Sequence, residues 1–469
     1  MPSSLFSSLL DSSTRSSHLF QIHALILTSG LLNSPPLTSK LLRLSSDFNQ
    51  IHYARQLFDQ IPLPNLFLYN NIIKLHSNQN LFTQILQFYS QMIRSKVGFD
   101  GFTLPPVLKA CAGLSNLNFG CSVHAQIVHF GFESDTFVKN GLISMYAKCG
   151  EIGLASNVFN SLENGNVISW TSILSGFSQN GHPLEALRIF RTMRVSSDVR
   201  PDFIVLVSVL KAYTDVEDLE HGRSIHGLVF KLGLDHEVDL VITLCAMYAK
   251  CGQVLIARQL FDRMQNPDVI LWNAMISGYA KNGFATEAVE LFKEMAARNI
   301  RPDSITIRSA IMACAQLGSL ELGKWMEDYT QKSEYKDNIF VKTTIIDMYA
   351  KCGSIINAHQ VFDTIRDKDV VAWSAIIVGY GLHGHGKEAS RLFSEMISDE
   401  VEPNDVTFIG ILSACNHAGL VDEGWKYFHS MKGYGIVPRH QHYACVVDLL
   451  ARAGHLQKAY EFIMGMPME

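Results

Sequence analysis

The sequence has few charged residues, no excess of basic ones and no long apolar run. Of its 469 residues, 18% are charged and 47% are hydrophobic, and the net charge is −5. A protein that is basic over its whole surface is therefore excluded, and any nucleic-acid site has to be a local stripe. The longest stretch without an ionic side chain, residues 16–39, contains Gly30, Pro35 and Pro36, so it lacks the ~20 apolar residues of a membrane-spanning helix.

Cysteine pairs with the spacing of zinc ligands or redox motifs are also absent. The nine cysteines are widely separated, and none forms a Cys-x-x-Cys. We expect no disulfide framework, and reduced thiols are typical of a cytosolic or organellar compartment. The start of the chain, MPSSLFSSLLDSSTRSS, is rich in serine with one Arg and one Asp, which is a weak sign of an organellar transit peptide.

Three phrases recur along the chain with a common period. One is YNNII or a related phrase that begins with Trp, the second is MYAKCG, and the third resembles IHALILTSGL. The first phrase begins at Tyr69, Trp170, Trp272 and Trp373. The second begins at Met145, Met247 and Met348, and the third at Ile22, Val123 and Ile225. The spacing is 101 or 102 residues in every case, and a fixed period of this kind predicts a repeat architecture.

Each period divides into a standard, a long and a short unit of 35, 35 and 31 residues. In the standard unit 269–303, two segments have apolar residues at helical spacing, one ending at Gly283 and the other before Pro302. Each unit is thus predicted to be an antiparallel helix pair, too small to bury its own apolar face, so neighbouring units must stack. The 14 predicted units are 1–34 (degenerate long-type), 35–65 (short), 66–100 (standard), 101–135 (long), 136–166 (short), 167–202 (standard), 203–237 (long), 238–268 (short), 269–303 (standard), 304–338 (long), 339–369 (short), 370–404 (standard), 405–439 (final long) and 440–469 (final short, incomplete).

This alternation, with the phrases WNAMISGYAKNG, MYAKCG, ARQLFD and SACNHAGL, resembles plant pentatricopeptide repeat (PPR) proteins of the PLS class, whose standard, long and short motifs alternate. The resemblance covers nearly the whole chain. It implies an all-α fold, a right-handed superhelical α-solenoid of about 14 helix-turn-helix units. Tetratricopeptide proteins share the helix pairs but keep a uniform 34-residue period, which this chain does not.

A repeat that recognises one base must present a polar side chain from the same place in every unit. The fifth residue of the first helix and the last residue of the unit meet this demand in standard and short units. The pairs are Ser39/Asn65, Asn70/Asp100, Asn140/Asn166, Thr171/Asp202, Asn273/Asp303, Thr343/Asp369 and Ser374/Asn404. Helix capping is the alternative role for these residues.

The family's two-residue code, carried over by position, implies a base for each of these pairs. Read from the N-terminus along RNA in the 5′ to 3′ direction, they imply A, U, C or U, G, U, G and A. The short unit with Ile242/Asp268 departs from the pattern. Long units carry Pro105, Val207, Arg308 and Ile409 at the fifth place and have no assigned base.

Five cations recur near the end of the first helix: Lys148, Lys250, Lys281, Lys351 and Arg452. A row of cations beside the base-recognition positions could follow the RNA backbone. A cation near a helix C-terminus also suits the helix dipole, and the sequence favours neither role.

No catalytic site, metal site or cofactor is predicted. Relatives of this class often end in a zinc-dependent deaminase, whose His-x-Glu and Pro-Cys-x-x-Cys motifs are absent here. The leading hypothesis, which the resemblance implies, is sequence-specific binding of single-stranded organellar RNA to select a site for C-to-U editing, in a mitochondrion or alternatively a chloroplast. The alternative hypothesis is a protein- or peptide-binding α-solenoid scaffold. No membrane or small-molecule partner is predicted.

The last unit stops one residue short of a full short unit. We expect either a truncated product or a chain that recruits a separate deaminase-bearing PPR protein or another editing factor in trans. Tyr460, Phe462, Ile463 and Met464 lack a following repeat that would cover some of them, which predicts an exposed apolar face.

Overall fold

The computed structural model describes residues 3–31, 34–48, 50–61, 63–163, 165–196 and 199–466. All regular structure in these residues is helical, and the ends of the first and last predicted units, residues 1–2 and 467–469, lie outside them. The α-helices are α1 (Ser3–Asp11), α2 (Ser16–Thr28), α3 (Pro35–Asp47), α4 (Ile51–Asp59), α5 (Leu66–Asn78), α6 (Phe82–Arg94), α7 (Leu104–Gly113), α8 (Leu117–His129), α9 (Thr136–Lys148), α10 (Ile152–Asn160), α11 (Val167–Gln179), α12 (Pro183–Ser196), α13 (Phe203–Asp215), α14 (Leu219–Lys231), α15 (Val238–Lys250), α16 (Val254–Arg263), α17 (Val269–Lys281), α18 (Ala285–Ala297), α19 (Ser304–Leu317), α20 (Leu320–Gln331), α21 (Ile339–Lys351), α22 (Ile355–Asp363), α23 (Val370–Leu382), α24 (Gly386–Ser398), α25 (Asp405–Ala418), α26 (Val421–Ser430), α27 (His440–Arg452) and α28 (Leu456–Met464). Two short 3-10 helices follow α8 and α26, at Phe132–Ser134 and Met431–Tyr434.

Two consecutive helices fall within each predicted unit, so that every odd-numbered helix is a first helix and every even-numbered helix a second helix. The prediction of an all-α repeat fold built from helix pairs is confirmed. The assignment of units to standard, long and short classes stays a prediction. Within the described residues, no helix is long and apolar enough to span a membrane.

The chain forms two compact units, Met1–Leu240 and Val241–Glu469. In the first, the first helices α1 to α13 pack on one another in succession, and in the second the same holds for α17 to α27. The second helices from α2 to α12 and from α18 to α26 pack against their own first helix and the next first helix. Each compact unit therefore has two layers, and the layer of first helices is continuous.

The serine-rich start of the chain belongs to the first compact unit. Helix α1 contacts α2 and α3, and it buries Phe6 and Leu10 completely or nearly so. The segment whose composition suggested a transit peptide thus contains a packed helix.

Small residues allow successive first helices to approach closely. A Cβ placed on Gly278 of α17 would lie 2.6 Å from the Cβ of Ala249 on α15, and the contact recurs between Gly379 and Ala350. Beside it, the Asn282 side chain donates from Nδ2 to the Ala249 carbonyl at 2.7 Å. The glycine removes the steric barrier, and the amide ties the two helices together.

The recurrent tryptophans are packing residues. Trp170, Trp272 and Trp373 are buried, and each lies edge-to-face with a phenylalanine of the preceding second helix, with ring centroids 4.9 Å apart. Because such contacts bury large apolar surfaces, they join each unit to the one before it.

On α28, the last helix, the predicted exposed apolar face is present in part. Tyr460, Ile463 and Met464 are exposed, whereas Phe462 packs against Trp425, Phe428 and Tyr443. The final helix pair therefore has one covered and one uncovered apolar side.

The Gly278–Ala249 contact yields a stability prediction. Gly278→Ala should lower the free energy of unfolding by roughly 1–3 kcal/mol, since the added methyl group overlaps Ala249. With Ala249→Gly, the nearest remaining atom is the Cα of residue 249 at 3.7 Å. The double variant should then be more stable than the sum of the single effects predicts, by ~1 kcal/mol or more, in urea unfolding followed by circular dichroism.

Gly227→Ala is the matched control. Gly227 lies within α14, and a Cβ there meets no atom within 4 Å. This variant should gain roughly 0.5–1 kcal/mol, the usual benefit of alanine over glycine in a helix. Strict additivity of Gly278→Ala and Ala249→Gly would show that the close contact does not limit stability.

Candidate nucleic-acid interface

The fold brings together predicted pairs that are far apart in sequence. Asn70 on α5 donates from Nδ2 to both carboxylate oxygens of Asp100, at 3.0 and 3.2 Å, across 30 residues. Asn273 on α17 makes the same bond to Asp303 Oδ2 at 2.7 Å. Because the last residue of a unit precedes the next first helix, stacking places it beside the fifth residue of the previous one.

A third residue completes each of these pairs. The Thr103 hydroxyl lies 2.6 Å from Asn70 Oδ1 and 2.9 Å from Asp100 Oδ1. Thr306 contacts Asn273 and Asp303 in the same way. Both threonines are the third residue of the following unit, and sequence reasoning missed them, although a hydroxyl residue three positions after each Asp was visible.

Two further pairs are organised by the same third position. Ser169 Oγ donates to Asn140 Oδ1 at 2.7 Å, and the bond from Asn140 Nδ2 to Asn166 Oδ1 is longer, at 3.4 Å. The hydroxyls of Ser374 and Thr407 lie 2.6 Å apart, and Thr407 also contacts Asn404 Oδ1 at 3.0 Å.

Threonines at the fifth position behave differently. Thr171 donates its hydroxyl proton to the Val167 carbonyl, and Thr343 to the Ile339 carbonyl, both at 2.7 Å. The third residue of the following unit is Val205 or Ala372, which has no hydroxyl to offer. In these two cases the fold brings the predicted residues to neighbouring helices without joining their polar groups.

Seven last-position residues cap the next first helix, which is their alternative role, whereas Asp100 accepts backbone N–H groups in the turn before α7. Each accepts one or two backbone N–H groups at the start of the next unit: Asn65, Asp100, Asn166, Asp202, Asp268, Asp303, Asp369 and Asn404. The bond to the backbone N–H uses Oδ1, so Oδ2 of an aspartate or Nδ2 of an asparagine stays available for a hydrogen bond to another group. The two roles are therefore compatible, and a cap offers an acceptor or a donor according to residue type.

Exposure varies along the fifth-position row. Asn70, Thr171 and Asn273 are half-buried. Four others are buried: Ser39, Asn140, Thr343 and Ser374. A ligand meets the first group more directly than the second.

Hydrogen bonds also affect the charge of Asp303, the carboxylate that pairs with Asn273. Burial acts to raise the pKa of Asp303, but hydrogen bonds from the Thr306 N–H and from the Asn273 side chain outweigh it, so the pKa lies below its usual range. Asp303 is thus an ionised acceptor at neutral pH.

Apolar side chains at the second position form an exposed row that sequence reasoning also missed. The most exposed is Phe102, at 84%. The others are Phe67, Phe137, Ile168, Ile204, Ile270, Ile305, Phe340, Val371 and Val406. The second position lies one helical turn before the fifth, on the same side of the helix. Exposed aromatic and aliphatic groups next to polar ones suit the faces and edges of unpaired bases.

The predicted cations lie in the last turn of their first helices, all with exposed side chains: Lys148, Lys250, Lys281, Lys351 and Arg452. At least two of them are engaged by a carboxylate one turn earlier. Lys351 Nζ lies 2.7 Å from Asp347 Oδ2, and Arg452 Nε lies 3.0 Å from Asp448 Oδ2. The row therefore carries less uncompensated charge than its sequence indicates.

Sequence profiles of known families match several of these repeats. The PPR repeat family matches residues 267–316 and 368–417, and the PPR repeat matches 137–167, 168–197, 246–267, 340–370 and 406–436. Among solved structures, maize PPR10 has the same fold, with a TM-score of 0.52 and 22% identity over 96% of this chain and 60% of that one.

Curated relatives extend the similarity along the whole chain. A pentatricopeptide repeat-containing protein of Arabidopsis thaliana is 53% identical over 99% of this chain. Two others from that plant, named chloroplastic and mitochondrial, are 37% and 36% identical over 96% and 95% of it. The chain spans 67%, 56% and 74% of the length of these three relatives. From this similarity over almost its full length, the chain belongs to the pentatricopeptide repeat family.

Proposed function

We propose that this protein binds single-stranded RNA with sequence specificity, one base to each unit, with the bases of the long units unassigned. The observation that carries the proposal is the joined polar pair, such as Asn273 with Asp303, placed one helical turn from an exposed apolar residue. The apolar group suits the face of a base and the polar pair suits its edge. Maize PPR10, whose fold this chain shares, has been crystallised with an 18-nt psaJ RNA element.

The proposed ligand is 5′-AUNYGNNUNGA-3′, where N is unassigned and Y is a pyrimidine. It follows from the family's two-residue code applied to the seven pairs. We further propose that the chain is of the PLS class and selects a cytidine for C-to-U editing, with a deaminase-bearing PPR protein or another editing factor acting in trans. The proposed location is the mitochondrion, with the chloroplast as alternative; relatives carry both names.

Gel-shift titration tests the binding proposal. The predicted oligonucleotide should bind at least tenfold more tightly than a scrambled RNA of the same composition. Equal or absent binding would instead favour a scaffold for a protein or peptide, for which the exposed apolar row would serve as the contact surface.

A base-preference switch tests the pairing of positions. Thr343→Asn should move preference at the tenth nucleotide from G toward U, because an asparagine can reach Asp369 as Asn273 reaches Asp303. A change in discrimination of about 1 kcal/mol or more is expected from competition binding with the four RNAs that differ at that nucleotide. Thr344→Asn, the same change one residue further along α21, should leave the preference unaltered. An unchanged preference in Thr343→Asn would contradict the assignment.

The ion pairs give a prediction for the RNA backbone. Replacing Lys148 and Lys281 by Gln should weaken binding to all RNAs alike and reduce the slope of log affinity against log salt by ~1.4, since each phosphate contact contributes ~0.7 on a single strand. Lys351→Gln should reduce it less, because Asp347 already compensates that charge. Asp347→Asn should tighten binding. A slope that stays constant in the double variant would place the RNA backbone elsewhere.

A further inference from the structure

The hydroxyl at the third position of the following unit has a single proton and two oxygens within reach. For Thr306 these are Asn273 Oδ1 and Asp303 Oδ1. Asp303 Oδ1 already accepts the Thr306 backbone N–H at 2.9 Å. The question is which oxygen receives the proton.

Each arrangement leaves one pair of oxygens in contact without a proton between them. When Thr306 donates to Asn273, that pair is the hydroxyl and Asp303 Oδ1 at 2.9 Å, which is the longest of the three possible contacts. If the Thr306 proton pointed to Asp303, the lone pairs of the hydroxyl and of Asn273 Oδ1 would face each other. Turning the Asn273 amide over would instead place its oxygen against Asp303 Oδ2, where its Nδ2 now donates at 2.7 Å. The hydroxyl therefore donates to Asn273 Oδ1, and the amide is held at both ends.

The same network occurs in the other compact unit. Thr103 lies 2.6 Å from Asn70 Oδ1, while Asn70 Nδ2 donates to Asp100. There the Asp100 backbone N–H also donates to the Thr103 hydroxyl at 3.2 Å. This contact occupies a lone pair of the hydroxyl, and the proton lies toward Asn70 Oδ1 because that oxygen is closer than Asp100 Oδ1, which is at 2.9 Å.

An amide held in this way offers a ligand one N–H and one oxygen lone pair in a fixed order. Uracil presents a carbonyl oxygen followed by the N3 proton along its pairing edge, whereas cytosine presents an amino group followed by the unprotonated N3. The two edges are matched by opposite orientations of the same amide. A fixed amide thus distinguishes uracil from cytosine, and a freely turning amide accepts both.

We infer that Thr103 and Thr306 are positioning residues that set the uracil-over-cytosine preference of Asn70 and Asn273. The inference rests on the proposed RNA-binding function and adds a residue outside each recognised pair. The Asn140 site supports it: Ser169 holds the amide oxygen, but the other end is held only by the neutral Asn166 at 3.4 Å. That looser site is the one to which the pair code assigns either pyrimidine.

The test uses the full chain and four RNAs that differ only at the eighth nucleotide of 5′-AUNYGNNUNGA-3′. Wild type should prefer U to C there. Thr306→Val removes the hydroxyl with little change of volume, and the U-to-C affinity ratio should fall roughly tenfold, toward one. Thr306→Ser retains the hydroxyl and should keep the wild-type ratio.

Thr330→Val is the matched control. Thr330 belongs to the same predicted unit and is equally buried, but its hydroxyl donates to the Met326 carbonyl within α20. This variant should not change the ratio. In an Asn273→Ala background Thr306→Val should also have no further effect on the ratio, because the hydroxyl acts through the amide.

A lower affinity for all four RNAs with an unchanged U-to-C ratio would overturn the inference, since it would reveal a purely structural role. If Thr306→Val does not fold, Thr103→Val makes the same test at the second nucleotide. A wild-type chain without base preference at any position would refute the proposed function itself, and this outcome is recognised before any variant is made.

Discussion

The direct contact between successive first helices is the interaction on which the other features of this fold depend. Gly278 and Gly379 let their helices approach the alanines of the preceding first helix, and Asn282 bonds the two backbones where they meet. Second helices add the aromatic contacts that cover each unit's apolar side. One helix pair cannot bury its own apolar face, so each unit is stable only when neighbouring units stack against it.

The same contact builds the polar row. A fifth-position residue and the last residue of its unit are 30 residues apart in the Asn70 and Asn273 pairs, and they meet because the next first helix begins beside the previous one. Asp303 is fixed there as a helix cap and Asp100 by the N–H groups of Phe102 and Thr103, so each side chain is held in one orientation. A structural requirement at the helix start thus also prepares a site with a defined donor or acceptor.

Charge contributes to this surface in a limited way. The chain has a net charge of −5, and at least two of the five predicted backbone cations are paired with carboxylates of their own helix. Binding to RNA would therefore depend on apolar and hydrogen-bonding contacts to the bases as well as on phosphate contacts. A surface of this kind favours selectivity over tight general binding to nucleic acids.

The sequence alone determined the helix pairs and the period, and it located the proposed recognition residues, because turn glycines, prolines and apolar spacing act locally and recur. The pairing of Lys351 with Asp347 was also readable, as a carboxylate four residues before a lysine. The contacts of Thr103 and Thr306, the exposure of the second-position row and the burial of Thr343 and Ser374 were decided only by tertiary structure. Each of these depends on how closely two first helices approach, and that distance is set by side chains from two different units.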